Sequence, residues 1–303
     1  MGDYMERELV KNLTIDLENN AWEQHLIMLK PIGIDPKITF GVELETYNRE
    51  IIYDDLYGIK PSEGWKVDEE PTIAGGVEFV SPVLSDTEFD LNNLHNLLEV
   101  LKKYNYTETP TCGGHIHLGA NYIKSIQELK FLLNLYSSME DIIALISQRK
   151  GTTVRKGAEN FSLPIKYRME YINSLKEKKF IFHKQYDKYL KECQKLFGCR
   201  FYSLNISHIG TPNKNTIEFR IPNGEIDYNE LINNVRLFAK LLESIKKYNI
   251  SDIPDIKQSD RNKLKILMDM LFYNSEYRSI YEERYDENLR KTIIEKEKKE
   301  KSK

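Results

Sequence analysis

Four short segments alternate apolar and polar residues, which is the pattern of strands with two different faces. These segments are 38–48 (ITFGVELETYN), 65–68 (WKVD), 75–82 (GGVEFVSP) and 111–119 (TCGGHIHLG). Two more strands are predicted at 199–208 and 216–222, on either side of the turn GTPNKN. The pattern therefore predicts a β-sheet that carries polar side chains on one face.

Helical spacing of apolar residues occupies most of the remaining chain. Ser85 and Glu88 form a capping-box motif ahead of one helix, and Ser125 and Glu128 form another. The second of these helices has a continuous apolar face, so we expect it to be buried. Further helices are predicted at 5–30, 165–196, from 227 onward, at about 258–273 and at 276–294. The charged tail from Glu295 is expected to be disordered.

Charge and composition exclude several classes of protein. The 303 residues include 44 Lys and Arg against 47 Asp and Glu, and the net charge of −3 argues against a nucleic-acid binder. The sequence has no run of about 20 apolar residues, so we expect no membrane span. The first residues, MGDYMERELVKNLT, are more polar than a signal peptide. Three sparse cysteines suit a reducing compartment, and we expect a cytoplasmic protein that is compatible with an oligomer.

Polar residues recur at positions i and i+2 on the predicted strands, which places each pair on one strand face. The pairs are Glu43 with Glu45, His115 with His117, and Glu218 with Arg220, and Glu78 is alone on its strand. Burying such charges without partners costs several kcal/mol each. Carboxylates with one imidazole suit Mg²⁺ or Mn²⁺, and an arginine beside them suits a phosphate. The pattern therefore predicts a site for a divalent cation with a phosphate group.

The same residues lie in stretches that resemble the amidoligase family of carboxylate–amine ligases, which are similar to glutamine synthetase and glutamate–cysteine ligase. The matching stretches are FGVELE (40–45), Asp68 with GGVEFVSP (75–82), CGGHIHLG (112–119) and CRFYSLNI with TIEFRIPNGEID (199–227). The resemblance implies an α+β fold, in which a glutamine synthetase-like curved antiparallel sheet forms a funnel with flanking helices. It also implies ATP and two or three Mg²⁺ or Mn²⁺ ions as cofactors.

The resemblance assigns expected roles to individual residues. The expected metal ligands are Glu43, Glu45, Glu78, His115 and Glu218. The expected contacts to the ATP phosphates are His117, Arg200 and Arg220, and the expected catalytic residues are Arg220, Glu78 and Asp68. Two positions depart from the family or stay open. Glu70 stands where the family usually has a small polar residue, and both Arg149 and Arg155 fit an arginine that the family carries after the helix at 125–147.

The function implied is ATP-dependent formation of an amide or peptide bond through an acyl phosphate. The implied substrates are a carboxylate and an amine, carried by an amino acid, a peptide or a protein. The predicted organisation is a helical N-terminal extension at 1–30, a catalytic domain at 31–250 and C-terminal helices with a charged tail at 251–303. A helical insertion at about 125–196 is expected to cover one side of the funnel.

Other hypotheses remain open from the residues. Cys112 and His115 suit a thiol amidohydrolase, although no oxyanion motif precedes the cysteine. A zinc hydrolase would use His115 and His117 but would leave the acidic positions unexplained. A catalytically inactive binding scaffold of the same fold would have no reason to keep buried charge. The remaining histidines lie outside the set of paired polar residues and are interpreted as surface or packing residues: His25, His95, His183 and His208.

Overall fold

The polar and apolar alternation of the sequence produces antiparallel strands. The computed structural model of the protein describes residues 28–48, 64–175, 183–254 and 258–302. The strands of this part are β1 (Phe40–Tyr47), β2 (Lys66–Glu70), β3 (Gly76–Val80), β4 (Gly114–Gly119), β5 (Leu204–Asn205) and β6 (Thr216–Phe219). The fold is therefore mixed α and β with antiparallel pairing, as predicted.

Eight α-helices lie in the described part of the chain. They are α1 (Glu88–Lys103), α2 (Ile126–Ile146), α3 (Ala158–Phe161), α4 (Lys166–Ser174), α5 (His183–Phe197), α6 (Tyr228–Ser244), α7 (Asp260–Phe272) and α8 (Arg278–Lys301). None of these helices is both long enough and apolar enough to cross a membrane. The helix predicted at 5–30 lies outside the described residues, apart from 28–30, which form no helix.

The chain divides into two units, each built from separate segments. The first unit contains Met1–Leu118 and Asn223–Arg236, and the second contains Gly119–Pro222 and Leu237–Lys303. The first unit holds four strands in the order β2-β3-β1-β4, and the second holds the pair β5 and β6. The division at residues 31 and 250 that the sequence suggested stays a prediction.

The sheet of the first unit has one apolar face. Leu44 pairs in register with Phe79, and Val42 pairs with Ile116, so these side chains share a face and are fully buried. Within this unit, helix α1 is joined to the residue before β2, because the indole N–H of Trp65 donates to the Asn93 side chain at 2.7 Å. Because strand side chains alternate, the residues between these apolar positions all point to the opposite face.

The start of α1 differs from the predicted capping box. The cap is Thr87, whose hydroxyl accepts a hydrogen bond from the Asp90 backbone N–H, and Glu88 is already the first helical residue. Ser85 instead donates its hydroxyl to the Asp90 carboxylate. The carboxylate of Asp86 accepts hydrogen bonds from the backbone N–H groups of 32–34, which fixes that connector against the helix start.

The second unit is organised around α2, which begins at the predicted cap Ser125. Its buried residues include Tyr136 and Met139, which are fully inaccessible to solvent, as the helical spacing indicated. The last carbonyl groups of α2 are satisfied from α8. The buried Arg284 donates to the Ile146 carbonyl at 3.1 Å, and Asn288 donates to the carbonyl of Leu145 at 2.8 Å. The end of α2 is therefore closed by tertiary contacts.

Two predicted helical segments differ in the structure. The single helix expected at 165–196 is wrong, because α4 ends at Ser174 and Leu175 has an extended backbone. The tail from Glu295 was expected to be disordered, yet α8 continues to Lys301. Glutamates and lysines alternate there at helical spacing, and lysines in the last turn also favour a helix because they complement its dipole.

Candidate functional site

Two neighbouring strands of the first unit bring a carboxylate between two imidazoles. Glu43 on β1 lies opposite His115 on β4, and His117 follows two residues later on the same face. The Glu43 carboxylate lies 2.9 Å from Nδ1 of His115 and 3.0 Å from Nε2 of His117. Both histidines are buried, so these contacts form away from bulk water.

Further carboxylates lie beside this group. Glu45 on β1 pairs in register with Glu78 on β3, and its carboxylate lies 3.6 Å from Nε2 of His115. Glu45 also accepts a hydrogen bond from the backbone N–H of Gly113. Four of the expected ligands, Glu43, Glu45, Glu78 and His115, therefore share one face of the sheet of the first unit.

The pKa values of Glu43 and Glu78, which lie on this face, shift in opposite directions. Burial opposes ionisation of Glu43, but hydrogen bonds and Coulomb attraction from His115 and His117 outweigh it and hold the pKa of Glu43 well below its usual range. Burial raises the pKa of Glu78 to about 8, and the negative charges of Glu43 and Glu45 add to this rise. Glu43 has its countercharge, whereas Glu78 faces like charges and favours a cation.

Glycines let a second backbone segment approach the start of β4. A Cβ atom on Gly114 would lie 2.6 Å from the carbonyl oxygen of Asn223, and one on Gly224 would lie 2.8 Å from the carbonyl oxygen of Glu45. The Gly224 N–H donates to the carbonyl oxygen of Cys112 at 2.8 Å. The glycines before His115 therefore serve close packing of the 223–224 backbone, one of the two uses that such glycines commonly have.

Two sets of donor atoms on this face fit a divalent cation. Ligand atoms of Glu43, Glu78 and His115 all lie within 4.8 Å of one another, and those of Glu45, Glu70 and Glu78 do the same. Two ligands of one hard cation lie at most about 5 Å apart, because each bond is about 2.0–2.6 Å long. Oxygen-rich sets with one imidazole match the preferences of Mg²⁺ and Mn²⁺ better than those of zinc.

Glu70 was missed in the sequence analysis as a member of the site. It was treated only as a departure from the family pattern, yet its carboxylate lies in the donor set with Glu45 and Glu78. Asp68 pairs in register with Glu78, but it is exposed on strand β2. The i and i+2 spacing of Asp68 and Glu70 was the signal that could have identified Glu70, since both lie on the same strand face.

A second buried carboxylate lies in the second unit. Glu218 on β6 is 1% exposed and forms an ion pair with Arg220, two residues further along the chain. The Asn205 side chain donates to Glu218 at 2.7 Å, and Nε2 of His208 lies 3.7 Å from it. His208, which was interpreted as a surface or packing residue, therefore belongs to the surroundings of Glu218.

The guanidinium of Arg220 is held by the last residue of helix α3. Its Nε donates to the carbonyl oxygen of Phe161 at 3.2 Å, and its side chain is largely buried. Arg155 is also buried and lies beside it, with Nη2 3.5 Å from the Arg220 carbonyl oxygen, whereas Arg149 is exposed. Of the two arginines that the sequence left open, Arg155 is therefore the one next to Arg220.

The structure places Arg200 differently from Arg220. Arg200 is exposed, and its guanidinium lies over the ring of Phe201 at 5.5 Å from the centroid. The backbone after it turns inward, because Tyr202 and the residues that follow to 206 are buried. Arg200 therefore lies at the surface of the second unit, and its expected contact with phosphate stays a prediction.

Cys112 lies at the start of β4 in an environment that disfavours a thiolate. It is fully buried, and its sulfur accepts a hydrogen bond from the Thr109 backbone N–H at 3.2 Å. Burial raises the pKa of the Cys112 thiol, since a charged sulfur would lose its hydration. The imidazole of His115 contacts carboxylates through both nitrogens. These observations favour a structural cysteine over a nucleophile.

Comparison with protein families agrees with the carboxylate-rich site. A family model described as "Putative amidoligase enzyme" matches residues 50–242, which is more than half of the chain. The protein therefore belongs to this amidoligase family, as its sequence motifs suggested. The match includes Glu78, His115 and Glu218, and it begins just after Glu43 and Glu45 on β1. Among curated proteins, no sequence matches the chain.

Proposed function

We propose that the protein is an ATP-dependent carboxylate–amine ligase that forms an amide or peptide bond through an acyl phosphate. The observation that carries the proposal is the single sheet face on which Glu43, Glu45, Glu78 and His115 meet. Family membership supports the bond type, since the family is one of amidoligases. We further propose that the strands belong to a funnel of the glutamine synthetase type.

The proposed cation ligands are the expected set enlarged by one residue. They are Glu43, Glu45, Glu78, His115 and Glu218, with Glu70 added from its position beside Glu45 and Glu78. Mg²⁺ or Mn²⁺ bound there would neutralise phosphate oxygens and supply Lewis-acid assistance to phosphoryl transfer. The like charges around Glu78 support this assignment, because a bound cation relieves the repulsion that raises the Glu78 pKa.

The proposed phosphate contacts are arginines and a histidine. Arg220 is the principal one, because its fork can hold two phosphate oxygens at once and its position is fixed through Phe161. Arg155 joins the proposal as its buried neighbour. His117 and Arg200 are retained in the roles that the family resemblance implies. Arg220 is proposed to bind most tightly as charge develops on the transferred phosphoryl group.

The proposed reaction has two steps. A carboxylate oxygen of the substrate attacks the γ-phosphorus, the bond to the β-phosphate oxygen breaks, and an acyl phosphate and ADP result. The amine then attacks the acyl carbon, and the carbon–oxygen bond to phosphate breaks as the amide forms. The amine loses a proton, and Glu78 or Asp68 is the proposed acceptor. The carboxylate and the amine are proposed to belong to an amino acid, a peptide or a protein.

Thermal unfolding with a non-hydrolysable ATP analogue tests this function. With Mg²⁺ or Mn²⁺ present, ligand at about 100 times its Kd should stabilise the protein by about 2.7 kcal/mol. The Glu43→Gln variant is the matched control, because it keeps the shape of the side chain but loses its charge. If nucleotide and metal together leave the unfolding temperature of the wild-type protein unchanged, the ligase proposal is wrong.

The thiol amidohydrolase is the second candidate, and the buried state of Cys112 weighs against it. Alkylation offers a simple comparison, because Cys199 is exposed in the same chain. Under native conditions a soluble alkylating reagent should modify Cys199 and spare Cys112. Rapid modification of Cys112, together with loss of amide hydrolysis, would favour the thiol mechanism instead.

A further inference from the structure

Glu140, on helix α2, is a buried carboxylate that the proposed chemistry does not use. The residue is 4% exposed. Its oxygens accept hydrogen bonds from the backbone N–H of Ile165 at 2.9 Å and from that of Lys166 at 3.3 Å. The hydroxyl of Ser203 donates a third hydrogen bond. One side chain therefore joins three segments of the second unit: α2, the start of α4 and the residue before β5.

The first effect of Glu140 is to close a helix end. Helix α4 begins at Lys166, and the residue at its cap position, Ile165, offers no side-chain hydrogen bond. The first N–H groups of a helix need acceptors, and negative charge is favourable there. The carboxylate of Glu140 meets both needs from another helix. A buried carboxylate is a costly cap, since serine or asparagine would serve without charge.

The second effect of Glu140 concerns the surroundings of Arg220. The carbonyl oxygen of Ser203 accepts a hydrogen bond from the Arg220 N–H at 2.8 Å. The backbone N–H of Ser203 donates to the carbonyl oxygen of Leu163 at 2.9 Å. Phe161, two residues before Leu163, provides the carbonyl that accepts from Nε of Arg220. Both the backbone and the guanidinium of Arg220 are therefore held by segments that Glu140 ties together.

We propose that Glu140 is a positioning residue for Arg220, acting through Ser203 and the segment 161–166. The two oxygens of the Glu140 carboxyl group contact three donors in fixed positions. Its catalytic consequence rests on the proposed function, because Arg220 is assigned to phosphate only there. The positional consequence is independent of that function and is measurable in the protein without substrate.

Nuclear magnetic resonance tests the positional part. In Glu140→Gln, one acceptor oxygen is replaced by a donor, so the amides of Ile165 and Lys166 should exchange hydrogen faster. The side-chain Nε signal of Arg220 should shift or broaden. Asp141→Asn is the matched control, because Asp141 is the next residue of α2. Its carboxylate contacts Nζ of Lys166 at 3.0 Å, whereas Glu140 accepts a hydrogen bond from the backbone N–H of Lys166. The control variant should change neither signal.

Faster amide exchange with an unchanged Arg220 signal would overturn the proposal and leave Glu140 as a helix cap only. Ser203→Ala provides a second route if Glu140→Gln does not fold. It removes the hydroxyl that joins Glu140 to the strand and keeps the backbone bond from Arg220. The same shift of the Arg220 Nε signal is expected, and its absence would count against the link through Ser203.

A double-mutant cycle tests the catalytic part. Misplacement of a phosphate contact by about 1 Å costs up to about 100-fold, so Glu140→Gln should lower turnover roughly 10- to 100-fold. In an Arg220→Lys background it should lower turnover little further, because coupled residues are not additive. Full additivity would overturn the proposal. If wild-type protein shows no nucleotide-dependent activity, the proposed function fails, and the resonance experiment still decides the positional part.

Discussion

Two carboxylates of the protein, the largely buried Glu43 in the first unit and the fully buried Glu218 in the second, are balanced in different ways. Glu43 lies between the imidazoles of His115 and His117, whereas Glu218 is paired with the guanidinium of Arg220 and the amide of Asn205. An imidazole changes its charge within the physiological pH range, and a guanidinium does not. Glu218 therefore has one permanently charged partner, with the imidazole of His208 at 3.7 Å beside it, whereas the two partners of Glu43 described above are imidazoles.

The neighbours of each carboxylate extend this difference. Glu45, Glu70 and Glu78 add three carboxyl groups close to one another on the face that carries Glu43. Arg155 adds positive charge beside Arg220. The first region is therefore arranged to gain a cation, and the second can offer an arginine to an anion. Burial of a carboxylate alone therefore does not identify its role, because the charge of the groups around it differs between the two regions.

The largest expected effect is a loss of turnover when Arg220, in the region around Glu218, is replaced. Arg220→Lys should lower kcat by about 10²–10³, because lysine supplies one point charge in place of a two-pronged contact. ADP release with a suitable carboxylate and amine measures this loss. Cys112→Ala is the control and should retain nearly normal turnover. If the Cys112→Ala variant is inactive and the Arg220→Lys variant has normal turnover, the ligase mechanism is wrong and the thiol mechanism is favoured.

Charge removal in the first region should weaken cation binding. Glu43→Gln should lower Mn²⁺ affinity at least about 10- to 100-fold, since even the outer partners of metal ligands have effects of this size. Electron paramagnetic resonance of Mn²⁺ measures the affinity directly. The surface variant Asp141→Asn in the second unit should bind Mn²⁺ as the wild type does. Equal affinities for Glu43→Gln and wild type would remove the distinction between the two regions.

Two variants on strand β2 test which carboxylates of the first unit belong to the cation site. Glu70→Gln should weaken Mn²⁺ binding by about tenfold, at the lower end of the range for groups around a metal. Asp68→Asn should change the affinity less than about twofold, because Asp68 is exposed and lies outside both donor sets. Titration calorimetry with Mn²⁺ compares the two. The reverse order would make Asp68 the ligand and Glu70 the bystander.

The smallest effect concerns pH and the buried carboxylate of Glu140. Burial raises the pKa of Glu140 above its usual value of 4.5, although hydrogen bonds from Ser203 and two backbone groups oppose the rise. The folded state then holds its proton to higher pH than the unfolded state does. Relative to Glu140→Gln, the wild-type free energy of unfolding should fall as pH rises from about 4.5 through the folded pKa. Urea unfolding across this range measures it, and a difference that grows with pH would contradict the assignment.

Part of the site was predictable from the sequence because strands have a fixed period. Glu43 and Glu45 lie on one face, as do His115 and His117, whichever strands are neighbours. The apolar residues between these pairs, Leu44 and Ile116, were predicted to lie on the opposite face, and both are fully buried there. The motifs of these strands also predicted the family, which the match to residues 50–242 confirmed. Local spacing alone was sufficient for these results.

Helix ends were predicted less well than strand faces. The cap at Ser125 was predicted correctly from its local motif, whereas the same motif at Ser85 placed the start of α1 two residues too early. The ends of α2 and α4 depend instead on Arg284, Asn288 and Glu140, which come from other helices. Such contacts leave no local signal, since the partners are far apart in the sequence.

The spacing of residues along the chain was enough to predict which side chains share a face of each strand and which family the protein belongs to. Only the tertiary structure placed β1 between β3 and β4, so that Glu43 meets His115 and Glu45 meets Glu78. It also brought Glu70 into the carboxylate set. The reason is that periodicity is a property of one segment, whereas strand order and register result from burying all the apolar faces at once.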